Sequence, residues 1–172
     1  VKEEYNEEKD IRTTTVTIET ENGAKTMGRP QGVYITLEAP NLSVPDEGYH
    51  REISKELAKH MRSLLPPKKN LSILVVGLGN REITPDALGP DVVSNLHITR
   101  HIIREYGAEG AGEEAVHSIS GLVPGVMAQT GMETLEIVQG VAEETKPDVI
   151  VAIDALAARS IKRLNRTIQI DR

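Results

Sequence analysis

The 172-residue sequence predicts an α/β fold: a doubly wound, mostly parallel sheet flanked by helices, with an N-terminal β-hairpin extension. Three observations predict it. Ser72–Val76 and Val149–Ile153 are uninterrupted apolar or nearly apolar runs of strand length, the pattern of parallel strands covered on both faces. Segments with helical spacing alternate with such strands, and the links between them are short and marked by Gly and Pro.

In chain order, Thr13–Glu19 is rich in β-branched residues and Asn22-Gly23 supplies the positive φ values of a tight turn. Together they predict a hairpin over residues 13–27. Gly32–Leu37 alternates and predicts another strand. Residues 40–48 carry Pro40 and Pro45 without an apolar period, so a seam is expected there, dividing a β-rich extension (1–45) from an α/β catalytic core (46–172). Ile53, Leu57, Met61 and Leu64 or Leu65 mark one face of a helix that Pro66 and Pro67 end, since proline clashes with the preceding turn. After the strand at Ser72–Val76 the pattern predicts a helix from Pro90 to Tyr106, which Gly107 can terminate, and a strand over Val116–Val123. A helix over Met132–Thr145 follows, with Thr130 and Glu133 at capping-box spacing, and then a strand over Asp148–Ile153. Thr167–Ile170 reads as a further strand close to the last residue, and residue 1 is not Met. The chain is therefore expected to be a piece of a longer protein whose core continues past Arg172.

A chain of this length buries roughly 70% of its unfolded surface, enough for a true core. Phe and Trp are absent and only four Tyr are present, so that core must be aliphatic and stacking platforms for single-stranded nucleic acid have little to be built from. Twenty basic against 26 acidic residues leave a net charge of −6, which argues against direct nucleic-acid or anionic-membrane binding. Without Cys there are no disulfides, thiolate metal sites or thiol nucleophiles. The charged start lacks the apolar stretch of an export signal, so the expected location is cytoplasmic.

In a doubly wound sheet, ligands sit at the carboxyl ends of the strands, which directs attention to the residues after Val76, Val123 and Ile153. Gly77 and Gly79 match the first two glycines of G-x-G-x-x-G, but Glu82 holds the third position, where a carboxylate would oppose a pyrophosphate, and Pro85 delays the helix. A glycine turn leaving a strand is the simpler reading, with nucleotide binding as an alternative. Asp86 stands between Pro85 and Pro90, either as a fixed reactive carboxylate or as a helix-start residue favoured by the macrodipole. Asp154 follows a buried-type strand, where a carboxylate is costly unless it is used or paired, for instance with Arg159. Two carboxylates facing one cleft cannot easily both ionise, so one acts as base toward water while the other keeps a proton. The same pair can instead hold a metal, for which zinc or nickel would ask for a histidine as well. His97 and His101 have i, i+4 spacing, but Ile98 stands where a zincin has Glu, and a structural role is simpler for them. The loop at Pro124 and Gly125 shapes the cleft floor, with backbone amides near Gly125 able to meet an oxyanion, and Lys68-Lys69 reads as a solvated turn.

Leu74–Asn80, Thr84–Pro90, Leu96–His101, Val123–Met127, Ala152–Ser160 and Tyr34–Glu38 together resemble the spore germination protease of endospore-forming bacteria, across most of residues 10–172. The resemblance implies an endopeptidase, made as a self-processing zymogen, that degrades small acid-soluble spore proteins in the forespore or spore core and assembles as a homotetramer. It implies that Asp86 and Asp154 are the catalytic pair of an unusual aspartic protease needing no cofactor, with Gly79, Asn80, Pro124, Gly125 and Arg159 as candidates for the substrate cleft. It also implies a fold like that of the hydrogenase maturation endopeptidases, whose corresponding acids bind nickel with a later histidine. A metal-dependent endopeptidase is the alternative mechanism. A scaffold whose aspartates only cap helices is the non-catalytic one.

Overall fold

The computed structural model describes residues 2–6, 9–110, 117–157, 160 and 163–172. These group into two compact units, residues 1–65 with 156–172, and residues 66–155.

The first unit is built on an antiparallel sheet of β1 (Lys2–Asn6), β2 (Ile11–Ile18), β3 (Gly32–Glu38) and β7 (Thr167–Asp171), in the order β1-β2-β3-β7. Leu37 lies opposite both Thr13 on β2 and Ile168 on β7. Helix α2 (Glu47–Leu64) starts where Asp46 accepts a hydrogen bond from the Tyr49 N–H at 3.0 Å, and it stops before Pro66 and Pro67. Its buried face closes the core: Ile53 packs with Ile11, Leu37 and Ala39, and Leu42, Tyr49, Leu57 and Ile168 surround them.

Three expectations are corrected here. Residues 13–27 are not a hairpin, because the chain leaves β2 into helix α1 (Glu21–Met27) and Asn22-Gly23 lie in its first turn. Thr20 accepts from the Gly23 N–H at 3.1 Å and Gly28, at φ 63°, closes the far end, so local capping outweighs the turn dipeptide. The antiparallel pairing of this extension is instead β1 with β2 and β2 with β3. Helix α2 and strand β7, both expected with the α/β core, belong to the antiparallel unit.

The second unit is a parallel three-stranded sheet in the order β5-β4-β6, formed by β4 (Ser72–Gly77), β5 (Ser118–Leu122) and β6 (Val149–Ile153). Ile73–Val76 of the central strand are all buried, as an uninterrupted apolar run requires. The connections place β5 on one side of β4 and β6 on the other, so the strand order reverses beside β4. At the amino edge, Lys68 bonds both carboxylate oxygens of Asp148 at 2.7 Å, and Asp148 accepts the Ser72 N–H at 2.8 Å. Lys68 is thus more than a solvated turn residue. The ammonium first, and then the Ser72 N–H, hold the Asp148 carboxyl below its ordinary pKa.

The helix expected from Pro90 to Tyr106 is two: α3 (Leu88–Ser94) and α4 (Arg100–Gly110), the latter broken at Gly107. Thr99, 4% exposed, fixes the gap to β5 by donating to the His117 carbonyl at 2.6 Å and accepting from the Ile119 N–H at 2.9 Å. His97 falls in this gap, so it does not share a helix with His101. A short α5 (Met127–Thr130) precedes α6 (Thr134–Thr145), whose start is capped three residues later than expected, at Glu133 rather than Thr130. Glu136 accepts from the Glu133 N–H at 2.8 Å, while the Thr130 hydroxyl serves the Met132 N–H at 3.2 Å. No described helix is long and apolar enough to cross a membrane.

Candidate active site at the carboxyl edge of the parallel sheet

Parallel register sets Val76 opposite Leu122 and Gly77 opposite Ile153, so the segments that follow all three strands emerge at one edge. The strand order reverses here, and that is where open α/β sheets take ligands. The junction is stitched by backbone: the Leu78 N–H donates to the Ile153 carbonyl at 2.8 Å. Gly89 brings α3 so close to this junction that a Cβ would run into the carbonyl oxygens of Leu78 and Ile153.

After β4 the chain folds back on itself. The Asn80 N–H donates to Asp86 twice, to the carboxylate Oδ2 at 2.7 Å and to the main-chain oxygen at 3.1 Å. Gly79, at φ 111°, is required because a Cβ there would collide with the main-chain oxygen of Asp86. The Ile83 N–H returns to the Asn80 carbonyl at 3.1 Å, and the single 3₁₀ turn Thr84–Asp86 delivers the carboxylate. Arg81 clasps this loop to α3, donating to the Pro90 carbonyl and to the Ser94 hydroxyl. Asp86 is half-buried and held from its own loop, before α3 begins. No helix N-terminus directly follows Gly79, so the loop lacks the phosphate-binding geometry of a dinucleotide fold.

Asp154 leaves the end of β6 exposed to solvent, with Oδ1 accepting the adjacent Ala155 N–H at 2.8 Å. Arg159, its candidate partner, lies outside the described residues. On the third strand's loop, Pro124 is buried and Gly125 takes φ 76°. Gln129 from this loop region donates to Asn80 Oδ1 at 3.4 Å, tying the segment after β5 to the one after β4. Gln129 belongs to no motif in the sequence. Its only signal was position, in the short helix that follows the Pro-Gly loop.

The structure therefore brings Gly79, Asn80 and Asp86 into one hydrogen-bonded loop, and sets Pro124, Gly125 and Asp154 at the same sheet edge. His117 sits at the opposite edge, its Nδ1 accepting from the Leu71 N–H at 3.3 Å, and His50 bonds the Leu42 carbonyl at 3.0 Å in the other unit. Among the described residues no group of three His, Asp or Glu side chains is arranged to hold a metal ion. The two aspartates do not make a complete metal site by themselves.

The sequence profile of the family described as Germination protease matches residues 1–172. The chain is 48% identical over 163 residues to the germination protease of Caldanaerobacter subterraneus subsp. tengcongensis, covering 95% of this chain and 50% of that protein. It is 47% identical over 160 residues to that of Clostridium tetani (93% and 49%), and 46% identical over 154 residues to that of a Geobacillus species (88% and 41%). The chain spans about half the length, or less, of these relatives.

Proposed function

The chain belongs to the germination protease family, and from that premise we propose that it forms part of an endopeptidase acting in spore germination, with Asp86 and Asp154 activating the water that cleaves the peptide bond. The observation that supports the mechanism is the parallel register of β4 and β6 where the strand order reverses: Asp154 directly follows β6, and the loop after β4 folds back so that Asp86 meets the Asn80 N–H, three residues past that strand. One carboxylate takes a proton from water as the oxygen attacks the scissile carbonyl, and the other donates a proton to that carbonyl oxygen. Collapse of the tetrahedral intermediate then expels the amine, which leaves with a proton returned by the acids. Backbone amides around Gly125 are the candidates to meet the developing oxyanion, with Gly79, Asn80 and Pro124 as candidate substrate contacts at the same sheet edge.

The family resemblance supports small acid-soluble spore proteins as substrates, the spore core as the place of action, synthesis as a self-processing zymogen, and a homotetrameric assembly. Direct nucleic-acid or membrane binding has no support from the net charge of −6.

The test is cleavage of a small acid-soluble spore protein by the full-length, metal-stripped protease beside its Asp86→Asn and Asp154→Asn variants, with products read by mass spectrometry. Both folded variants are expected to lose about 10³-fold or more in turnover while chelation leaves the parent active. If chelation abolishes activity and added metal restores it, the two acids are ligands and the water is activated by the metal. Full turnover by both variants would reduce the aspartates to helix-start residues.

A further inference from the structure

Asn80 is the hinge between two of the three strand-end segments. Its N–H holds the Asp86 carboxylate at 2.7 Å, while its side-chain Oδ1 accepts from the Glu82 N–H at 3.0 Å and from Gln129 Nε2 at 3.4 Å. The Glu82 contact is a local side-chain turn that sets the backbone direction of residues 80–82, and hence the aim of the Asn80 N–H. That turn is local to one loop. Gln129 is the group that fastens it to the second loop, and it is well placed to do so: Gln129 Oε1 lies 3.2 Å from where a Cβ on Gly125 would stand. Any larger residue at 125 would press on this carboxamide, and Gly125 also tolerates the φ of 76° that its loop needs.

Resting on the two-aspartate reading above, we propose that Gln129 is a positioning residue for the hydrolysis: through Asn80 Oδ1 it keeps the Asn80 N–H on the Asp86 carboxylate and so fixes the direction in which that carboxylate meets water. Gln129 makes no bond to the reacting atoms. Its influence is carried by one hydrogen bond between two side chains, and removing either partner removes it. Gln129 is exposed and caps no helix, so its loss leaves the core intact.

The experiment compares kcat and KM of the full-length protease on a small acid-soluble spore protein for Gln129→Ala, Gln129→Glu, Asn80→Ala, the double variant Asn80→Ala/Gln129→Ala, and Asp86→Asn. Gln129→Ala is expected to lower kcat about five- to tenfold at nearly unchanged KM and melting temperature, the loss of one net hydrogen bond. Gln129→Glu keeps the length but not the donor, and is expected to fall as far. The double variant is expected to match Asn80→Ala alone, because both changes cut the same link. A rise in KM with kcat unchanged would make Gln129 a substrate contact and overturn the proposal, as would additive losses in the double variant. Wild-type kinetics for both Gln129 variants beside an inactive Asp86→Asn would remove the positioning role and leave the two-aspartate reading standing. Wild-type turnover by Asp86→Asn would remove both.

Discussion

The two units build an aliphatic interior in different ways. In the antiparallel unit the buried side chains are shared among several elements: Ile11 and Ile18 from β2, Ile35 and Leu37 from β3, and Ile53 from α2. In the parallel unit they are concentrated on and beside one strand, with Leu71 and Ile73–Val76 all buried, whereas β6 alternates and leaves Ile150 45% exposed. A distributed interior resists local change. A concentrated one leaves the flanking strands partly open: Asp154 follows β6 into solvent, while Asp86 lies half-buried in the loop that follows β4.

The sharpest way to break this comparison is to truncate each kind of strand residue in the parallel sheet. Leu74, 1% exposed, should cost about 2–5 kcal/mol as Leu74→Ala, by lost transfer energy plus a cavity. Ile150→Ala, on the flanking strand, should cost less than about 1.5 kcal/mol, since much of its surface is already in water. Equilibrium urea denaturation measures both. Equal costs would mean that β6 carries as much of the interior as β4.

The same contrast explains what the sequence made legible. Ser72–Val76 was readable as a central parallel strand because burial on both faces erases alternation, and that is what the structure shows. The position of Asp154 directly after β6 was readable from that apolar run, but the fold-back that returns Asp86 to the Asn80 N–H was not, because it depends on contacts within the loop. The partner of α2 was not readable, since helical spacing tells which face is buried and not which sheet buries it. Asn22-Gly23 misled because the same dipeptide suits a turn or the first turn of a capped helix, and Thr20 decides between them only through its bond to the Gly23 N–H. Gln129 had no signal of its own: a carboxamide in a polar segment acquires meaning from its partner, here Asn80.

A smaller effect sharpens the picture at the α3–α4 break. Thr99→Val keeps the shape but strips the hydroxyl that joins the His117 carbonyl to the Ile119 N–H, leaving two part-buried backbone groups unpaired. The expected loss is about 1–3 kcal/mol, read as a shifted denaturation midpoint at unchanged slope. Loss within experimental error would mean that solvent reaches the gap and that the helix break is not anchored by this residue.

The smallest expected effect is acid sensitivity, and each unit has its own sensor. In the antiparallel unit, hydrogen bonds from Lys55 and then Lys9 hold the Glu52 carboxyl at about 2 against an ordinary 4.5, and in the parallel unit Lys68 and the Ser72 N–H depress Asp148. A carboxyl whose folded pKa is depressed releases its proton more readily in the folded state than in the unfolded chain. It therefore contributes stability that is fully present above the unfolded value and is lost as pH falls through the folded one. For Glu52 that window runs from about 4.5 down to about 2. Both carboxylates are solvent-accessible, so screening keeps each contribution small and high salt should shrink it further. Denaturation midpoints followed from about pH 6 to about pH 2 should fall less steeply in Glu52→Gln and in Asp148→Asn than in the parent. Asp148→Asn removes the titrating group and with it the slope from that site, while the asparagine oxygen still accepts from Ser72, so the loss at neutral pH is confined to the pairing with Lys68. Unchanged slopes in both variants would show that neither ion pair survives in solution, and that the amino edge of the parallel sheet is held by its backbone ladder alone.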